Sequence, residues 1–145
     1  DALRAGTLRF DQDIVFTSNA YPRDKMTQGW VHSGGRPGQR IDIDTALKMI
    51  TVRSANDVAV ALAESIAGSE TKFVKMMNDK AAMIGMTDTR FANASGWEHR
   101  DQHSTARDMA LMMRHVLQTY PEYREYLAAT SVTYAGRNFE SHNNM

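Results

Sequence analysis

The chain has 145 residues, which is room for one domain; at this length about 68–70% of the unfolded surface can be buried. Lys plus Arg is 17 and Asp plus Glu is 17, so the formal net charge is zero and no global field gathers nucleic acid or anionic lipid. The absence of cysteine excludes disulfides, Cys–zinc sites and thiol catalysis, and no run of about 18 apolar residues is present to span a membrane.

Asp1-Ala2-Leu3-Arg4-Ala5-Gly6 reads as the tail of a helix with a glycine stop. The far end, Asn143-Asn144-Met145, is abrupt, so both ends read as cut and a fragment of a longer protein is expected. Residues 13–17, Asp-Ile-Val-Phe-Thr, have strand composition. Residues 18–40 read as irregular, with turn chemistry in Ser33-Gly34-Gly35-Arg36-Pro37-Gly38. Asp44 is placed to cap a helix carrying Ala46, Leu47, Met49 and Ile50. A second helix is predicted from near Ser54, with Val58, Leu62 and Ile66 spaced by four beside Ala55, Ala59 and Ala63, and Gly68 to end it. A third carries Phe73, Met77, Ala81 and Ile84 on one face and stops at Gly85. Residues 86–103 read as a long loop. A fourth helix starts near Ser104, shows Met109, Met113, Val116 and Leu117, and ends before Pro121, which can open a short helical turn. Thr130 to Tyr134 alternates like a strand, and Gly136 suggests a hairpin turn. The ten methionines are read as core packing within these stripes.

Ser54-Ala55-Asn56-Asp57 can be read in two ways. Ser54-x-x-Asp57 matches a capping box, with the Ser54 hydroxyl accepting the Asp57 N–H and the carboxylate favouring the positive helix end. Two features stay outside that reading. Asn56 is a mediocre helix former in a first turn, and a preceding helix ends only a few residues earlier. Ser-x-Asn also sets a hydroxyl, which can relay a proton, beside a carboxamide, which can hold a peptide group.

In order along the chain stand Gly38 to Ile50, Ser54 to Asp57 with Val58 to Glu64, Phe73 to Asn78, Ile84 to Phe91, Asn93 to Trp97, and Ser104 to Ala110. This ordered set resembles the low-molecular-mass penicillin-binding D-alanyl-D-alanine carboxypeptidases over nearly the whole chain. The resemblance implies a mainly α fold with a few short strands, the helical subdomain of the penicillin-recognising D,D-peptidase and β-lactamase-like fold. It implies one incomplete domain over 1–145, with the helical part at about 40–128 and strand segments near 13–17 and 130–140. It also implies hydrolysis of the terminal D-Ala-D-Ala bond of peptidoglycan stem peptides through an acyl-enzyme, and binding of β-lactam antibiotics. No metal or cofactor is expected. The location implied is periplasmic or otherwise extracytoplasmic, with a membrane attachment in the full-length protein. By resemblance, Ser54 is catalytic, in the network that returns a proton to the leaving amine. Asn56 is substrate-binding, orienting the peptide or a penicillin's side-chain amide.

The family works with three motifs: S-x-x-K, S-x-N and K-T-G. This chain holds no K-T-G. Ser69-Glu70-Thr71-Lys72 spells S-x-x-K, but it follows the Ser-x-Asn, and Gly68-Ser69 reads as a helix stop and the next helix's cap. The isolated chain is therefore expected to be inactive. A β-lactamase or a D,D-endopeptidase of the same fold, and a non-catalytic helical binding module, are the alternatives. No glutamate matches a class A β-lactamase's deacylating residue clearly; Asn93 to Gly96 and Glu98 occupy the comparable loop. His99 and His103 lack the Glu of H-E-x-x-H, since Arg100 stands there, so the segment reads as a solvated loop. Ser33-Gly34-Gly35-Arg36 lacks the lysine of a phosphate cradle, and Arg107-Asp108 reads as a structural charge pair.

Overall fold

The structure is a computed structural model describing residues 1–26 and 28–141. The chain order is β1 (Asp13–Val15), α1 (Arg23–Met26), β2 (Arg40–Asp42), α2 (Ile43–Arg53), α3 (Asn56–Ala67), α4 (Glu70–Met83), α5 (Ala106–Thr119), a 3-10 turn (Pro121–Tyr123), α6 (Arg124–Leu127), β3 (Ser131–Tyr134) and β4 (Arg137–Glu140). The mainly α class with short strands is observed. No helix among the described residues is long and apolar enough to cross a membrane. Asn143-Asn144-Met145, expected as a cut end, lie outside the described residues.

Two small antiparallel sheets flank the helices. In the first, Ile14 pairs with Ile41 and both are buried between exposed neighbours, the period-two pattern of a strand with one covered face. Phe16 extends the pairing by donating to Gln39 O at 3.0 Å and accepting from Gly38 N at 2.8 Å. The long excursion over residues 17–38 is thus closed at its base. It is less irregular than its sequence suggests, since it holds α1 and leads into β2. Three-residue β2 has no local signature of its own; its partner β1, far away in sequence, makes it a strand. In the second sheet Val132 faces Phe139 across a two-residue turn, Ala135-Gly136, with φ of 50° and 73°. Positive φ at both positions is what a tight hairpin needs to match strand twist.

The core gathers Ile14, Phe16, Ile41, Ile43, Met49, Val58 and Val60 where α2 and α3 meet both sheets. Helix ends follow local chemistry. Gly68 closes α3 at φ 77°, Ser69 Oγ accepts the Lys72 N–H at 3.3 Å to start α4, and Pro121 opens the 3-10 turn. Thr105 caps α5 by accepting the Asp108 N–H at 3.2 Å.

Three expectations need correction. Asp44 does not cap α2; Asp42 does, accepting the Thr45 N–H at 2.8 Å. The chain passes straight from β2 into the helix, so the last strand residue is the cap. Asp44 lies in the first turn and instead receives Lys48 Nζ at 2.6 Å and the Tyr126 hydroxyl at 2.8 Å, tying α6 to α2. The methionines are only partly core: Met49 and Met86 are buried, but Met76, Met83, Met109 and Met113 are exposed. The face α5 turns inward also differs from the apolar stripe. Buried Asp108 lies on it, accepting from Asp88 N at 2.9 Å and Thr89 Oγ1 at 2.8 Å, and anchoring that side leaves Met109 and Met113 outside.

Candidate active site

Ser54 and Ala55 are the whole junction between α2 and α3. A junction this short must stop one helix and start another at once. Ser54 stops α2: its backbone turns left-handed, φ 55° and ψ 41°, and its N–H closes on Ile50 O at 3.1 Å. This is the position that glycine usually takes, because a β-carbon is unfavourable there. A non-glycine residue held in this region is an observation that points toward function.

The capping-box reading of Ser54 is overturned. Ala55, not Ser54, stands at the N-cap of α3, and the helix has no side-chain cap bond. Ser54 is spent on ending α2 by its backbone. Its side chain is exposed and has no hydrogen-bond partner among the described residues. Asn56 opens α3 and is 8% exposed. Its backbone N–H and its Nδ2 both donate to the Val31 carbonyl, at 2.9 and 3.1 Å. Only the NH2 end of a carboxamide can face a carbonyl, so this bond fixes which way the amide is turned. The two candidate residues are therefore brought to one helix junction, one with a hydroxyl unbonded among the described residues and one with a half-engaged amide.

Sequence reasoning missed the residues that hold this junction. Asp57, fully buried, accepts four hydrogen bonds: from Ser33 N at 2.9 and 3.0 Å to its two oxygens, from Ser33 Oγ at 2.6 Å, and from Val58 N at 2.9 Å. Burial pushes its carboxyl above the ordinary value, and the bonds from Ser33 and Val58 pull the other way. Ser33 Oγ accepts in turn from Gly35 N at 3.0 Å. Ser33 and Gly35, buried on either side of an exposed Gly34, are thus a strut of the junction and no phosphate cradle. The only available signal was composition, a small polar residue beside two glycines.

The other sequence candidates fall elsewhere. Ser69 is an N-cap, as expected. His99 and His103 lie in the loop over residues 86–103, and no cluster of three or more metal-ligating side chains occurs among the described residues. Arg107 lies 3.7 Å from the Asp108 carboxylate, whose other oxygen anchors the Asp88–Thr89 turn. Asn93, in the loop compared with the β-lactamase position, folds on itself: its Oδ1 accepts from Gly96 N at 2.8 Å and its Nδ2 donates to Trp97 O at 2.7 Å. An apolar hollow of about 370 Å³ lies between α2, α3, α5 and α6, walled by Leu47, Ile50, Leu62 and Val116; neither Ser54 nor Asn56 lines it.

Comparison with known proteins meets this geometry from outside. The family model described as D-alanyl-D-alanine carboxypeptidase matches residues 1–145. The D-alanyl-D-alanine carboxypeptidase DacF of Bacillus subtilis is 43% identical over 82 residues, covering 57% of this chain and 21% of that protein. Penicillin binding protein 6B from Escherichia coli superposes with a TM-score of 0.91 at 28% identity, over 99% of this chain and 45% of that one. A penicillin-binding protein from Listeria monocytogenes, solved in its ampicillin-bound form, superposes with a TM-score of 0.76 at 26% identity, over 99% of this chain and 56% of that one. The chain spans about a fifth of the curated relative and about half of the solved structures. Its match to the family model runs from first residue to last, and the chain belongs to the D-alanyl-D-alanine carboxypeptidase family.

Proposed function

We propose that the chain is the helical wall of a serine D-alanyl-D-alanine carboxypeptidase that acts outside the cytoplasm on peptidoglycan stem peptides and is acylated by β-lactams. The observation that carries the reading is the α2–α3 junction. An exposed serine held left-handed stands two residues from a carboxamide of fixed orientation. Membership of the family supports it, as does the likeness to an ampicillin-bound relative. In this reading an activated serine outside these 145 residues attacks the carbonyl of the D-Ala-D-Ala bond. The carbonyl carbon becomes bonded to that serine, the amine of the terminal D-Ala leaves with a proton, and water later releases the acyl group. Ser54 passes the proton toward the leaving amine through its hydroxyl. Asn56 holds the peptide, or the side-chain amide of a penicillin, so that the carbonyl lies in line with the attacking oxygen.

Two experiments test this. In the complete enzyme, Asn56→Ala should slow acylation by a fluorescent penicillin about tenfold or more, the equivalent of one positioning hydrogen bond. An unchanged rate removes Asn56 from the site. The 145-residue chain itself should take no covalent label, because Ser69, its only S-x-x-K serine, is committed to starting α4. A labelled band on a denaturing gel contradicts the division of roles.

A further inference from the structure

The Asn56 amide is only as well placed as the carbonyl it leans on. Val31 O accepts from the Asn56 backbone N–H and from its Nδ2, so displacing Val31 displaces the amide. Val31 lies outside any helix or strand. Nothing in local secondary structure fixes it. What fixes it is the next side chain of α3. Asp57 takes the backbone N–H and the hydroxyl of Ser33, two residues beyond Val31, and anchors the same carboxyl to the helix end through Val58 N. From the other side, Gly35 packs against the far end of the Phe16 ring; a β-carbon there would come within 2.5 Å of it. Three of the four contacts come from backbone N–H groups, which can only donate, so the carboxyl is their acceptor. His32 and Tyr134 interact with it electrostatically.

We propose that Asp57 is a positioning residue for the Ser-x-Asn wall: it clamps the 31–35 stretch to the N-terminus of α3, so that the Val31 carbonyl sets the orientation of the Asn56 amide toward substrate. The inference rests on the role given to Asn56 above. It assigns to Asp57 no contact with substrate; its whole effect on the reaction passes through Asn56. Such a residue leaves a signature that a general prop of the fold does not. Its effect on acylation must vanish once Asn56 has no amide to orient, while its effect on stability must remain.

The test is a double-mutant cycle in the complete enzyme, with acylation by a fluorescent penicillin and thermal denaturation measured on the same samples. Asp57→Asn alone should slow acylation about tenfold, and it should add less than about twofold in an Asn56→Ala background, while the losses in Tm add. Ser33→Ala keeps the carboxyl and removes the hydroxyl's bond to it, together with the bond that hydroxyl accepts from Gly35 N. It should slow acylation about threefold, again only when Asn56 is present, and it serves if Asp57→Asn does not fold. The positioning role is overturned if the clamp variants acylate at the wild-type rate, or if their slowing is the same factor with and without the Asn56 amide. A normal rate for Asn56→Ala would remove Asn56 from the site, and the clamp's purpose with it.

Discussion

Ser54 is held where an L-residue is uncomfortable. At φ 55° its β-carbon crowds the following carbonyl, at a cost of about 1–2 kcal/mol. Glycine would end α2 without that strain. The expected consequence separates stability from activity. Ser54→Gly in the complete enzyme should raise its stability to urea by about 1 kcal/mol and at the same time slow acylation. A less stable variant would show that the hydroxyl is there for the fold, and one that acylates normally would remove Ser54 from the site. The Ser-x-Asn pair was legible in the sequence, because a hydroxyl and a carboxamide two apart at a helix start form a local pattern. The clamp was not. Asp57 and Ser33 are 24 positions apart, and a buried carboxyl looks, in sequence, like any acidic residue in a first turn.

At the scale of elements, terminators were readable because they act within a few residues. Gly68, Ser69, Pro121 and the Ala135-Gly136 turn all stand where local stereochemistry puts them. What failed depended on distant partners. Strand β2 exists because β1 pairs with it, and that pairing moves the cap of α2 from Asp44 to Asp42. The inward face of α5 is chosen by Asp108 and its bonds to Asp88 and Thr89, which outweigh a methionine stripe whose flexible side chains tolerate exposure. The 31–35 stretch makes the same point in a testable form. Gly35 has no positive φ to explain it; its reason is the Phe16 ring pressed against it. Gly35→Ala should therefore cost about 1–3 kcal/mol in thermal or urea denaturation, an overpacking penalty between buried, well-fixed groups. A neutral substitution would mean that the Phe16 ring gives way, and that the stretch is held by its bonds to Asn56 and Asp57.

For the whole molecule, the ordered run of motifs carried more information than any one of them. A lone Ser-x-Asn is common; the same pair followed in order by Phe73 to Asn78, Asn93 to Trp97 and Ser104 to Ala110 is not, and the match to the family model extends over all 145 residues. Family and fold class were therefore legible in the sequence, while the packing that stiffens the site had to come from the structure. Whether the α2–α3 junction faces the bound acyl group is read directly from a crystal structure of the complete enzyme acylated by ampicillin. The expected result places the side-chain amide of the antibiotic about 3 Å from the Asn56 carboxamide, with the Ser54 hydroxyl opening onto the same groove and Val31 still bonded to Asn56. An acyl group seated with its amide more than about 5 Å from Asn56, and Ser54 facing bulk solvent away from it, would contradict the account.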